Sequence, residues 1–195
     1  MRPVELSSAL LRLDAPQGTD AHRVFEYCQD PVMPEYLARL PWPYRLTDAT
    51  DFVTGYVPEA WAGDQECTWA VRGAASPELL GVISLSVPTG ADRAASIGFW
   101  LGPEHRGRGL MVEAQRLVLD WGFSTGLWDS VHWECVAGNL ASARTARKAG
   151  FRYTGLGPAG IAYRDGTHPP SWKAMLHAAD DRTPAAGWPA DVVAA

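Results

Sequence analysis

The sequence predicts an α+β domain, a mixed and largely antiparallel sheet covered by helices. Three observations carry this. Short strand-like runs bounded by glycine, proline or aspartate follow one another, with tight turns between residues 72 and 93. Helical patterns interrupt those runs at only two or three points, whereas a doubly wound fold would alternate strand and helix throughout. One apolar strand, Ile97-Gly98-Phe99-Trp100-Leu101, runs through a glycine-rich turn directly into an amphipathic helix.

Each element has its own signal. Residues 4 to 13 read as a strand, and Ala21 to Gln29 carry a short helical pattern that stops before Pro31. A loop rich in proline and aromatics spans Pro31 to Tyr44. A helix is expected after Thr47, capped by Thr47 or Asp48 and running to about Trp61 in spite of Gly55 and Pro58. Strands follow at Cys67 to Arg72, Leu79 to Val87 and Ala94 to Leu101. From Leu110 the apolar residues Leu110, Ala114, Leu117, Val118 and Trp121 fall on one helical face, with Glu113, Arg116 and Asp120 opposite. Val131 to Val136 is the next strand. Asn139 then caps a helix whose last turn holds Arg147 and Lys148 and which stops at Gly150, as dipole and C-cap preferences require. Phe151 to Gly155 and Ser171 to Leu176 close the set. The domain is expected to occupy residues 1 to 178, with the proline- and alanine-rich residues 179 to 195 as a loose tail.

At 195 residues the chain suffices for one core without disulfide or metal staples. A net charge of −5 argues against nucleic-acid binding by bulk electrostatics and favours a cationic or amine partner, although a local basic patch can still hold one small anion. Cys28, Cys67 and Cys135 are odd in number and far apart, which points to a reducing, cytoplasmic setting. The first residues lack an apolar signal core, and no stretch approaches the roughly 18 apolar residues that span a bilayer, so no membrane association is expected. The five histidines show no metal-ligand spacing, and no metal is expected.

Chemistry concentrates between residues 97 and 151. Pro103-Glu104-His105-Arg106-Gly107-Arg108-Gly109 precedes a helix N-terminus, where unpaired N–H groups and the positive end of the helix dipole converge. Arg106 and Arg108 add positive charge, so the favoured ligand carries phosphate. There is no Gly-Lys-Ser/Thr, the third glycine is missing and the strand order is wrong, which argues against a P-loop or dinucleotide fold.

Strand, Arg-Gly-X-Gly, amphipathic helix, strand, Asn-X-X-Ser, helix and Lys-X-Gly-Phe in one order resemble the GCN5-related N-acetyltransferases (GNAT), and among them the ribosomal-protein N-terminal acetyltransferases of the RimJ and RimL type. The resemblance is strong over residues 94 to 155 and extends by element order to residues 4 to 178. It implies a GNAT fold of about seven strands with helices on both faces, in which the strand ending at Leu101 and the strand before Asn139 splay apart around acetyl-CoA. Backbone groups of Phe99, Trp100 and Leu101 would bond the pantetheine arm, as an added strand would. The amides of Arg106, Gly107, Arg108, Gly109, Leu110 and Met111 would hold the pyrophosphate, and Asn139 would lie near the thioester. In many members a tyrosine of the second helix protonates the leaving thiolate. Here that slot is Ala146, and Ser142, one turn earlier on the same face, is assigned as the acid.

Two further departures matter. Glu104 occupies the first position of the phosphate turn, where Arg106 and Arg108 would have to neutralise it. Ser96 stands where relatives often carry a glutamate, which leaves the base to Glu134 first and His132 second. Trp42, Tyr44 and Trp61 would form one wall of the acceptor site. The implied activity is acetyl transfer to a primary α-amine, on a protein or peptide N-terminus or a small amine. Alternatives are an antibiotic or metabolite modifier and a non-catalytic acyl-CoA-binding module, and a homodimer is left open.

Overall fold

Residues 66 to 86 carry apolar side chains on both faces of two adjacent strands, which obliges the sheet to be covered on both sides. The computed structural model of the chain describes residues 1–87 and 93–194. Its strands are β1 (Leu6–Ser7), β2 (Leu11–Asp14), β3 (Glu66–Gly73), β4 (Leu79–Ser86), β5 (Ala94–Leu101), β6 (Ser130–Val136), β7 (Arg152–Pro158) and β8 (Pro170–His177). They form one eight-stranded sheet in the order β1-β2-β3-β4-β5-β6-β8-β7, and every pairing is antiparallel except β5 with β6. The turn expected between Val87 and Arg93 lies outside the described residues.

The helices are α1 (Ala21–Tyr27), α2 (Met33–Tyr36), α3 (Leu46–Asp51), α4 (Val57–Ala62), α5 (Leu110–Ser124), α6 (Leu140–Lys148) and α7 (Ala190–Val193). Alternation along β3 divides the core. Cys67, Trp69 and Val71 pack with Trp61 of α4 and with Ala114 and Val118 of α5, while Ala70 joins Val24 of α1 and Ala49 of α3. A bulge shifts the β3–β4 register: Val71 faces Gly81 and Arg72 faces Leu79, so Leu80 is left over. Beside it Gly81 lies so close to β5 that a Cβ there would meet the Trp100 carbonyl oxygen at 2.2 Å. The end of β5 can take its position only because residue 81 has no side chain.

Three local expectations change. The strand expected over residues 4 to 13 folds back on itself, because Ser8 accepts the N–H groups of Leu10 and Leu11 on its hydroxyl and donates its own N–H to the Leu11 carbonyl. The result is the short β1–β2 hairpin and an eighth strand. Helix α3 starts at Leu46, before the expected cap, and Asp48 contributes from the third helical position by accepting the Arg45 N–H at 2.7 Å. Between α3 and α4 the chain widens into a π turn over Phe52–Tyr56, and Pro58 follows as the second residue of α4, so the helix continues past a residue that lacks an N–H.

The tail expected to be loose is packed. Trp188 is 6 % exposed and Val192 1 %, both inside the main core. The Trp188 indole donates to the Phe151 carbonyl, and its ring lies 5.5 Å from those of Trp133 and Tyr153. Arg144 of α6 also donates to the carbonyl oxygens of Asp191 and Ala194. Two large apolar side chains anchor a segment whose average composition reads as disordered, so the folded unit extends through α7.

Trp188→Ala is expected to cost about 3–5 kcal/mol of stability, as truncation of a buried tryptophan does, read as a lowered urea midpoint. A midpoint equal to wild type would return the tail to a dispensable role. Stability is also expected to fall in alkali. Burial pushes the Cys28 and Cys67 thiols up to about 12, whereas in the unfolded chain they ionise near about 8.5. The contribution is complete below the unfolded value and lost as pH rises toward the folded one, because there the unfolded chain binds fewer protons. A melting temperature flat across that window would contradict it.

Candidate active site

The site grows from the parting of β5 and β6. These strands pair in parallel at Ala94↔Ser130, Ala95↔Val131 and Ser96↔His132, and no further. Beyond Ser96, β5 keeps β4 on one side only, with Phe99, Trp100 and Leu101 in register with Ile83, Val82 and Gly81. Beyond His132, β6 keeps β8 on its other side. Ile97 to Leu101 and Trp133 to Val136 therefore have no strand partner on the sides that border one wedge-shaped gap, the splay the resemblance implied.

At the mouth of the gap the chain leaves β5 through a short turn, Pro103–His105, and reaches α5 by way of Gly107 and Gly109, at φ 72° and 76°. Gly109 is the N-cap of α5 in the left-handed region, a conformation that costs other residues about 1–2 kcal/mol. The backbone N–H groups of Gly107, Arg108, Gly109, Leu110 and Met111 find no acceptor among the described residues. Five donors without acceptors thus lie at the positive end of a 15-residue helix. The Arg106 N–H is not among them, because it bonds the Pro103 carbonyl.

The charged side chains of this turn are arranged differently from expectation. Arg106 does not project toward an anion: its Nε donates to the Leu101 carbonyl at 3.0 Å, and its Nη1 pairs with Asp30 at 2.8 Å. It ties the turn to the last residue of β5. Glu104 turns away from the amides and accepts from the Tyr27 hydroxyl at 3.1 Å, with His105 close by, so these two groups take the part expected of Arg106 and Arg108. Its carboxyl is held below the usual range, chiefly by a backbone hydrogen bond of its own residue and then by Tyr27. Arg108 is exposed and lines a groove of about 400 Å³ with Gly109, Leu110, Arg116 and Lys148.

Asn139 caps α6, its Oδ1 accepting the Ser142 N–H at 3.1 Å. Ser142 is half-buried on the first turn, and its Oγ accepts the indole N–H of Trp133 at 3.2 Å. Cys135 lies against the same hydroxyl, its thiol pushed up to about 12, first by burial. Ala146 is fully buried, leaving no room for a tyrosine in that slot.

Glu134, the first candidate for the base, is committed elsewhere. It pairs with Lys173 at 3.2 Å and accepts the Gly160 N–H at 2.9 Å, which anchors the β7–β8 loop. His132 is exposed on the same face of β6, at the last paired position before the gap. Of the three aromatics expected in the acceptor wall, only Trp42 is exposed, at 47 %. Tyr44 is buried among α1 and α3, and Trp61 lies edge-on to Trp69 with its N–H on the Thr68 carbonyl. Both are core residues.

Trp42 borders an open groove of about 450 Å³ with Pro34, Glu35, Val136, Tyr163 and Asp165. Two residues not foreseen from sequence hold its walls together. Tyr163 donates to the Tyr36 carbonyl at 3.3 Å, and Arg164 donates to the carbonyls of Leu40 and Pro34 at 3.0 and 2.9 Å. The only local signal was the Asp165-Gly166-Thr167 turn, in which Asp165 accepts from Thr167. Among the described residues no group of three or more His, Cys, Asp or Glu side chains is placed to hold a metal ion, and no helix is long and apolar enough to cross a membrane.

Comparisons with known proteins agree with this geometry. Residues 11–152 match the family model described as an acetyltransferase (GNAT) domain. A probable N-acetyltransferase of Bacillus subtilis, YjcK, is 35 % identical over 94 residues, which is 48 % of this chain and 52 % of that protein, so the match spans about half of its curated relative. Among solved structures, the microcin C7 self-immunity acetyltransferase MccE, in complex with acetyl-CoA and AMP, has a TM-score of 0.76 at 17 % identity, covering 87 % of this chain and 93 % of that one. The ribosomal L7/L12 α-N-protein acetyltransferase RimL has a TM-score of 0.76 at 18 % identity, covering 91 % and 96 %. With a family match over most of its length and the splayed β5–β6 pair at its centre, the chain belongs to the GNAT acetyltransferases, acyltransferases whose cosubstrate is acetyl-CoA.

Proposed function

We propose that the chain transfers the acetyl group of acetyl-CoA to a primary α-amine at a peptide or protein N-terminus, as an enzyme of the RimJ/RimL type. The observation that carries this reading is the wedge between β5 and β6, with five unpaired amides at its mouth and the Ser142 hydroxyl beside it. The amides of Gly107 to Met111 would hold the diphosphate, assisted by Arg108. The open edges of Phe99–Leu101 and of β6 would bond the pantetheine arm in the manner of strand addition.

The chemistry asks little of a base. An α-amine has an ordinary pKa of about 7.7–8.0 and is partly neutral near pH 7, whereas a lysine amine near about 10.4 needs much stronger help. With Glu134 committed to Lys173 and Gly160, proton removal falls to His132 directly or through water. The backbone N–H of Leu101 would stabilise the oxyanion, since the register turns that of Trp100 toward Val82 of β4, and Ser142 would protonate the departing sulfur. The groove beside Trp42 is open rather than a closed aromatic pocket, which favours a peptide over a small amine, and Glu35 on its rim suits an ammonium group. The three free cysteines suit a reducing compartment such as the cytoplasm.

Purified protein given acetyl-CoA and a panel of Ala- or Ser-starting peptides and small amines is expected to release free thiol with peptides foremost. Silence across the panel would overturn the proposal, and turnover confined to small amines would reassign the acceptor. Gly109→Ala is expected to weaken acetyl-CoA binding by about tenfold or more in calorimetry, since residue 109 holds φ 76°, a conformation that alanine adopts only with strain, and the turn that presents the amides would shift. Unchanged affinity would place the ligand elsewhere. Ser142→Ala is expected to lower kcat on the order of 10²-fold with little change in acetyl-CoA affinity, and a wild-type kcat would remove Ser142 from the chemistry.

A further inference from the structure

Trp133 is the first residue of β6 beyond its pairing with β5, and its indole is 2 % exposed. A buried indole N–H must find an acceptor, and this one is directed at the Ser142 Oγ, 3.2 Å away. Its ring is braced on the other side by Trp188, with centroids 5.5 Å apart at 58°. We propose that Trp133 is a positioning residue for the transfer step: its N–H occupies one lone pair of Ser142 and turns the hydroxyl proton toward the sulfur that leaves. The inference rests on the reading of Ser142 as the proton donor and goes beyond it by naming what aims and polarises that donor.

A serine hydroxyl rotates freely unless something holds it. Asn139 cannot, since its Oδ1 is bonded to the Ser142 backbone N–H and not to the hydroxyl, and the Cys135 thiol beside it is a weak partner already directed at the carbonyls of Val136 and Asn139. The Trp133 N–H can, and a hydroxyl that accepts one hydrogen bond becomes a stronger donor of the next. In the step itself the amine nitrogen bonds the carbonyl carbon, the C–S bond breaks, and its electron pair stays on sulfur. Sulfur takes the proton of Ser142. The nitrogen that attacked gives its proton to His132, directly or through water, and that proton returns through water to the oxygen of Ser142, so amine and thioester become amide and thiol with no net gain or loss of protons.

The test is a double-mutant cycle on kcat with Trp133→Phe and Ser142→Ala, folding being followed by melting temperature. Trp133→Phe is expected to lower kcat about fivefold, the size of one lost hydrogen bond, with the KM for acetyl-CoA unchanged. In the Ser142→Ala background the same change is expected to lower kcat no further. Benzothienylalanine at position 133 alone keeps the shape without the N–H, and is expected to reproduce the fivefold loss even if the phenylalanine variant folds poorly. A wild-type kcat with benzothienylalanine, or losses that multiply in the double variant, would overturn the inference while leaving Ser142 as acid. A wild-type kcat in Ser142→Ala alone would overturn that reading first, and the inference with it.

Discussion

A parallel strand pair that stops after three residues leaves two backbone edges without partners in the middle of a sheet, and the rest of the molecule is organised around holding that gap open. Unpaired N–H and C=O groups away from bulk water are costly, so two such edges would normally close on each other. Here they cannot. The β4 bulge and the close approach of Gly81 to Trp100 set the course of β5, while full pairing with β8 sets that of β6. Arg106 then bonds the carbonyl of Leu101, the last residue of β5, and Asp30 holds Arg106 in place. The gap is thereby specified from both sides by elements that do not line it.

Electrostatics follow the same economy. A turn carrying Glu104, His105, Arg106 and Arg108 would be a confused site for an anion if all four side chains faced the ligand. Glu104 and His105 meet at the Tyr27 hydroxyl, and Arg106 meets Asp30. What remains directed outward is backbone amide, the dipole of α5 and Arg108. Such fixed donors need no reorganisation when an anion arrives, which is how a chain of net charge −5 can still present a local phosphate site.

The segment from β5 through α6 was legible in the sequence because its signals are local. Periodicity located α5, Asn139 marked the start of α6, and Gly107 and Gly109 marked a turn that needs positive φ. The errors share another origin. Whether Tyr44 and Trp61 face a groove or a core depends on which side of the sheet their helices lie, and no residue nearby in sequence reports that. Glu134 reads as a free carboxylate until the β6–β8 register sets Lys173 opposite it. Arg106 reads as a phosphate ligand until Asp30, 76 positions away, takes its charge. The tail was misjudged because composition averages over a window, while burial was decided by Trp188 and Val192 alone.

Those two residues also connect stability with chemistry. Trp188 closes the core from the C-terminal side and braces Trp133, whose N–H is bonded to Ser142 on the first turn of α6. In the proposed role that hydroxyl would meet a departing sulfur and would have to be held to within a few tenths of an ångström, and rotamers are held that well only where packing and a hydrogen bond agree. In this chain the packing comes from a segment outside the matched residues 11–152, while the hydrogen bond comes from the strand that borders the gap. Changes far along the tail would accordingly be felt in the turnover of the site before they were felt in its affinity for the cosubstrate. The amides of Gly107 to Met111 depend on the turn and α5 rather than on Trp188.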